Sequence, residues 1–159
     1  MRKILLLIAI IACLFLSCSS QVETIKVELK QPQSQNSITS SEVFLQKASS
    51  FYNQELFDSA YYYCQKSYKK DSRNWELFYL FGKTAIKMEK YEIAENNLFQ
   101  ALSFCTNNNV LRAKIYYALG EVEELRRNSH VAKQHYLMVI QLDNTSSLAK
   151  SAYKKINSQ

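Results

Sequence analysis

The sequence has very little of what makes turns. Its 159 residues include two glycines and one proline. Folds of strands and tight turns use such residues freely, so their scarcity argues for helices. No glycine-rich phosphate loop and no nucleophile motif occurs. The two histidines, His130 and His135, stand five residues apart. On a helix they point about 140° apart, which is poor geometry for holding one metal. No metal, no cofactor and no enzyme activity is therefore expected. Basic residues number 20 and acidic ones 14, a net charge of +6. That excess is too thin for a nucleic-acid surface.

The apolar runs are also short. The longest, Ile4 to Leu16, has 13 residues, whereas a membrane-crossing helix needs about 20 to span roughly 30 Å. Arg2 and Lys3 precede it and polar residues follow, the layout of a cleaved export signal. Leu14-Phe15-Leu16-Ser17-Cys18 resembles a bacterial lipobox, with Phe15 in place of the usual leucine. The resemblance implies a signal peptide over 1–17 and a covalent lipid on Cys18. An uncleaved short anchor is the alternative. Residues 18–40, rich in Ser and Gln and holding Pro32, read as a flexible tether. About 22 such residues reach on the order of 25 Å. Loss of Arg2 and Lys3 leaves 18 basic and 14 acidic residues, a net +4. Cys13 leaves with the signal, so Cys64 and Cys105 remain. An oxidising compartment would permit a disulfide between them; the simpler reading is two small buried side chains on separate helices.

From Ser41 onward apolar residues recur at helical spacing. Small residues come in pairs twelve apart: Ala48 with Ala60, Gly82 with Ala94, and Gly120 with Ala132. Such pairs let two antiparallel helices approach closely. Ala48 to Gly82 and Ala60 to Ala94 are both 34 residues. Aromatics and leucines surround them: Phe44, Phe51 and Phe57, then Phe78, Phe81, Tyr91, Leu98 and Ala101, then Tyr116, Leu119 and Tyr136. This pattern resembles the tetratricopeptide repeat. The resemblance implies an all-α, right-handed superhelical solenoid of three helix pairs over 41–74, 75–108 and 113–146. No repeat has the family's terminal proline; Ser72, Thr106 and Asn144 take its place and are suited to ending one helix and capping the next. Gly82 to Gly120 is 38 residues, and the four extra are expected in a longer loop at Cys105–Asn109. Leu148, Ala149, Ala152, Tyr153 and Ile156 give 147–159 an apolar stripe, as in a capping helix, with Lys150, Lys154 and Lys155 facing away.

In this family the first helix of each pair lines a groove. The register carries that role to Leu45, Ser49, Tyr52 and Asn53, to Glu76, Tyr79, Lys83, Ile86 and Lys87, and to Lys114, Tyr117, Glu121 and Glu124. The binding candidates among them are Tyr52, Asn53, Tyr79, Lys83, Lys87, Lys114, Tyr117, Glu121 and Glu124. Tyr52, Tyr79 and Tyr117 would form an aromatic line among charges of both signs, suited to a peptide. Some tetratricopeptide domains clamp a C-terminal carboxylate with Lys, Asn, Asn, Lys and Arg. Those places hold Leu45, Ser49, Leu80, Lys114 and Ala118 here, so four of five are replaced. Glu121, Glu123 and Glu124, close to Arg126 and Arg127, read as intrahelical charge pairs.

These features imply a lipid-anchored scaffold in a Gram-negative envelope, on the outer membrane facing the periplasm, that binds a protein or peptide and no nucleic acid. The alternatives are a small cell-wall enzyme using Glu121 or Glu124, and an adaptor on an uncleaved anchor.

Overall fold

The computed structural model describes residues 39–158. The expected signal peptide over 1–17, Cys18 and nearly all of the expected tether lie outside the described residues. Among the described residues there are seven helices and no strand. They are α1 (Ser40–Asn53), α2 (Phe57–Tyr68), α3 (Trp75–Lys87), α4 (Tyr91–Phe104), α5 (Asn109–Leu125), α6 (Ser129–Leu142) and α7 (Ser147–Asn157). None is long and apolar enough to cross a membrane.

The odd-numbered helices begin on a side-chain cap. Thr39 accepts from the Glu42 N–H while the Glu42 carboxylate accepts from the Thr39 N–H, a capping box. Asn74 caps α3, Asn108 caps α5 and Ser146 caps α7. Each cap stands two residues beyond the place expected from the missing prolines, Ser72, Thr106 and Asn144. The even-numbered helices have no side-chain cap and are entered through three tight turns of one design. Leu56 N–H donates to Phe51 O and Glu55 N–H to Tyr52 O; Lys90 and Glu89 repeat this with Ala85 and Ile86, and Asn128 and Arg127 with Glu123 and Glu124. These are Schellman turns.

Their left-handed position, normally glycine's, holds Glu55 (φ 61°), Glu89 (φ 57°) and Arg127 (φ 63°). A side chain there costs about 1–2 kcal/mol, part of which glycine gives back through its freer unfolded chain. Glu89→Gly should therefore stabilise the domain by about 0.5–1 kcal/mol, raising its thermal midpoint by a few degrees in a calorimetric scan. An unchanged or lowered midpoint would contradict the strain.

The pairs are α1–α2, α3–α4 and α5–α6. Successive odd-numbered helices touch: α1 meets α3, α3 meets α5, and α5 meets α7, whereas α2 and α4 do not meet, nor α4 and α6. The stack therefore curves, with the odd-numbered helices on the inside. Helix α7 occupies the place of a fourth inner helix, packed on α6 and α5.

The small residues do their work at the crossings. A Cβ on Gly82 would lie 2.8 Å from Leu98 Cγ and 3.2 Å from the Ala94 carbonyl oxygen. One on Gly120 would lie 2.5 Å from Tyr136 Cε1. Ala48, Ala60, Ala94 and Ala132 have no exposed surface. The extra four residues are not in the loop. The connection 105–108 is shorter than 69–74, and α5 has 17 residues against 13 in α3. The insertion is one added helical turn before Gly120, which preserves the face because four residues nearly complete a turn.

Cys64 and Cys105 are buried and unbridged. Burial pushes the Cys64 thiol up to about 12, against a weaker pull from Thr84. Cys105 follows α4 rather than lying in it. The Tyr61–Tyr63 run divides as core plus rim. Tyr61 packs edge-on against Phe81, Tyr63 stacks on Phe51, and Tyr62 is half exposed beneath Lys66.

Candidate functional site

The inner helices leave a groove of about 380 Å³ lined by Tyr52, Lys83, Ile86, Lys87, Glu121, Glu124, Leu125 and Lys155. One residue comes from α1, three from α3, three from α5 and its end, and one from α7, so the groove joins all three repeats to the cap. Helical period explains the set. Lys83 and Lys87 are one turn apart on α3, as are Glu121 and Leu125 on α5.

Lys83 has a prepared position. Its ammonium lies 5.3 Å from the centre of the Tyr52 ring and 5.9 Å from that of Tyr79, within cation–π range of both. Burial works against its charge, but the Tyr79 and Tyr52 oxygens and Glu121 outweigh it and hold its pKa above the usual lysine value. Lys83 is thus a standing positive charge at neutral pH. Neither Lys83 nor Lys87 has an ion-pair partner among the described residues.

The three glutamates of α5 have separate roles. Glu123 is 4% exposed and accepts from Arg126 Nη1 at 3.1 Å and Asn128 Nδ2 at 2.7 Å. Arg126 also reaches Glu95 on α4, at 2.7 Å. This tie closes the α5–α6 turn. Glu124 accepts from Lys155 Nζ at 2.6 Å and joins α5 to α7. Arg126–Glu123 is a short-range pair of the kind that sequence spacing suggested. Glu121 faces the groove. Burial raises its carboxyl pKa, opposed by Lys83, Lys155 and Lys87 and aided by Glu124.

That direction has a thermodynamic consequence. An acid whose folded pKa is raised holds its proton more tightly in the native state, so its ionisation destabilises the fold as pH rises. Glu121→Gln should raise the thermal midpoint at pH 7 and leave it unchanged near pH 4. An equal shift at both pH values would refute the titration.

Five of the nine candidate residues line the groove: Tyr52, Lys83, Lys87, Glu121 and Glu124. The rest do not. Tyr79 packs against the central core cluster and Tyr117 against Tyr136 at 5.3 Å between centroids. Both are partly buried, and Tyr79 lies beneath the Lys83 ammonium, so Tyr52 is the one tyrosine of the three in the lining itself. Asn53 and Lys114 are exposed outside the lining. Leu45 is buried at 7% exposure, because the first turns of α1 pack inward. Leu125, half exposed, and Lys155 were missed. Lys155 falls on the solvent side of the α7 stripe when that helix is read alone, and only the stacking of α7 beside α5 brings it round.

His130 is exposed beside Gln134, and His135 lies against Tyr116. No metal-binding cluster exists among the described residues. On the outer side, the gap between α2 and α4 forms a second, uncharged cleft that includes Tyr68, Phe78, Phe104, Asn96, Asn97 and Gln100.

A family model described as anaphase-promoting complex, cyclosome, subunit 3 matches residues 28–101, somewhat under half of the chain. Among solved structures, the chain is similar to the first tetratricopeptide domain of Spaghetti (RPAP3) bound to the HSP90 peptide SRMEEVD, at 21% identity and a TM-score of 0.65, covering 74% of this chain and 90% of that one. It is similar to the Arabidopsis OM64 tetratricopeptide domain, at 18% identity and a TM-score of 0.66, covering 75% and 95%. It is also similar to the type III secretion translocator chaperone SycD of Yersinia enterocolitica, at 14% identity and a TM-score of 0.68, covering 77% and 95%. No curated protein matches the sequence. The chain has the all-helical fold of tetratricopeptide domains, three helix pairs closed by a cap.

Proposed function

We propose that this chain is a lipid-anchored binding module of a bacterial cell envelope that holds a segment of a partner protein in its inner groove. The observation that carries the binding role is the groove itself. It spans every repeat and the cap, and presents Lys83 and Lys87 beside the apolar Ile86 and Leu125. Mixed apolar and charged concavities of this kind suit peptide segments. A structural relative is bound to the HSP90 peptide SRMEEVD. The anchor and the envelope rest on the sequence: a basic start, a short apolar run, and Cys18 in a lipobox-like setting. Each buried methylene of an attached lipid contributes about 0.8 kcal/mol of membrane affinity. An outer-membrane site facing the periplasm is the position this reading favours.

Capture of a tail through its terminal carboxylate does not suit this groove. Of the places that would hold the clamp, Leu45 is 7% exposed and Ala118 is 2% exposed, and both are apolar.

Two variants test the proposal in cells. Cys18→Ala should move the protein from the membrane fraction to the soluble periplasm. Lys83→Glu/Lys87→Glu should leave it on the membrane but lose the partner recovered with wild type after crosslinking. Membrane retention of Cys18→Ala would refute the lipid anchor. Full partner recovery by the lysine double variant would refute the groove.

A further inference from the structure

We infer that the groove recognises an internal acidic side chain flanked by an aliphatic one, with the carboxylate received at Lys83. The inference rests on the groove being the binding surface and specifies what it binds.

The charges lining the groove are three lysines and two glutamates, one positive charge in excess. Lys155 is already engaged by Glu124 at 2.6 Å. Glu121 lies in the field of Lys83, Lys87 and Lys155 together. One positive charge is left over, shared between Lys83 and Lys87, and Lys83 is the one of the two whose position is fixed. Its ammonium is positioned over two tyrosine rings, at 5.3 and 5.9 Å, with no ion-pair partner among the described residues. A side chain already held in place loses less freedom on binding, so its interaction with an incoming carboxylate is favoured. Lys87, one turn further along α3 and more exposed, extends the positive edge.

The apolar requirement comes from Ile86 and Leu125. Leu125 is 50% exposed, and both line the same groove as the lysines. An aliphatic side chain next to the acidic one would cover this surface. No arginine or asparagine lines the groove, so the paired donors that would grip a chain terminus are missing. An internal segment is the better fit.

The test is selection from random dodecapeptides displayed with both ends blocked, against the full chain in detergent. Winning sequences should carry Asp or Glu beside Leu, Ile or Val. Fluorescence titration of an amidated winner should show at least a tenfold loss when its acid is changed to the amide. Lys83→Glu should bring a similar loss, and Lys83→Gln most of it. Thermal melts of both variants check that folding is kept. A neutral or basic consensus, or none, overturns the inference. If such a consensus still depends on Tyr52 and Leu125, as Tyr52→Ala and Leu125→Ala would show, the groove stands and only its chemistry is wrong. A consensus indifferent to every groove substitution overturns both.

Discussion

Gly120→Ala should destabilise the domain by about 3 kcal/mol, a fall of roughly 10–15 °C in thermal midpoint for a domain of this size. The added methyl would lie 2.5 Å from Tyr136 Cε1 and within 2.9 Å of two more ring carbons. Tyr136 is fully buried. Its ring packs against Tyr117, and burial, together with Glu124's carboxylate, pushes its phenol pKa up. A flat ring cannot shrink or fold aside, so α5 and α6 must separate along their length. Gly82→Ala meets the same constraint more gently. Its first obstacle is the side chain of Leu98 at 2.8 Å, which has rotamers to use, and then the Ala94 carbonyl at 3.2 Å. Its cost should be about 1–2 kcal/mol. Chemical denaturation of the two variants side by side checks both the size and the order. Equal losses, or a larger loss at Gly82, would contradict the packing described.

Removing α7 should cost about 4 kcal/mol. Ala149 and Ala152 are completely buried, and Leu148 and Ile156 pack with Tyr136, Val139 and Ala132. Fully burying one large aliphatic side chain is worth about 1.5–3 kcal/mol. Deletion exposes both surfaces of the contact and removes the Lys155–Glu124 bridge at 2.6 Å. Repeat stacks need such a terminal cover, because each unit buries its apolar face on the next. A chain stopped after Thr145 should melt well below the full chain and bind an apolar dye at temperatures where the full chain does not. If it melts as the full chain does, α7 is an appendage and not a cap.

Much of this architecture was legible. The pairing of small residues twelve apart marked the helix pairs, and the 34-residue step placed two of them in register. What escaped was set by neighbours rather than by local pattern. The four residues added before Gly120 lengthen α5 by a turn, and a whole extra turn leaves helical periodicity undisturbed. Glu55, Glu89 and Arg127 adopt left-handed backbone without a glycine to signal it; the fixed turn between paired helices imposes it. Leu45 carries a groove position by register yet packs into the core, since the inner helices also press on each other. Lys155 enters the groove only because α7 stands where a fourth inner helix would.

One experiment reaches the groove directly. A photo-crosslinking residue placed at Leu125, inside the groove, is compared in living cells with one at Tyr62, half exposed on α2. Binding in the groove predicts one dominant adduct from Leu125, absent from Tyr62 and lost when Lys83→Glu is added. An adduct from Tyr62 that survives Lys83→Glu, with none from Leu125, would place the interaction surface elsewhere and contradict it.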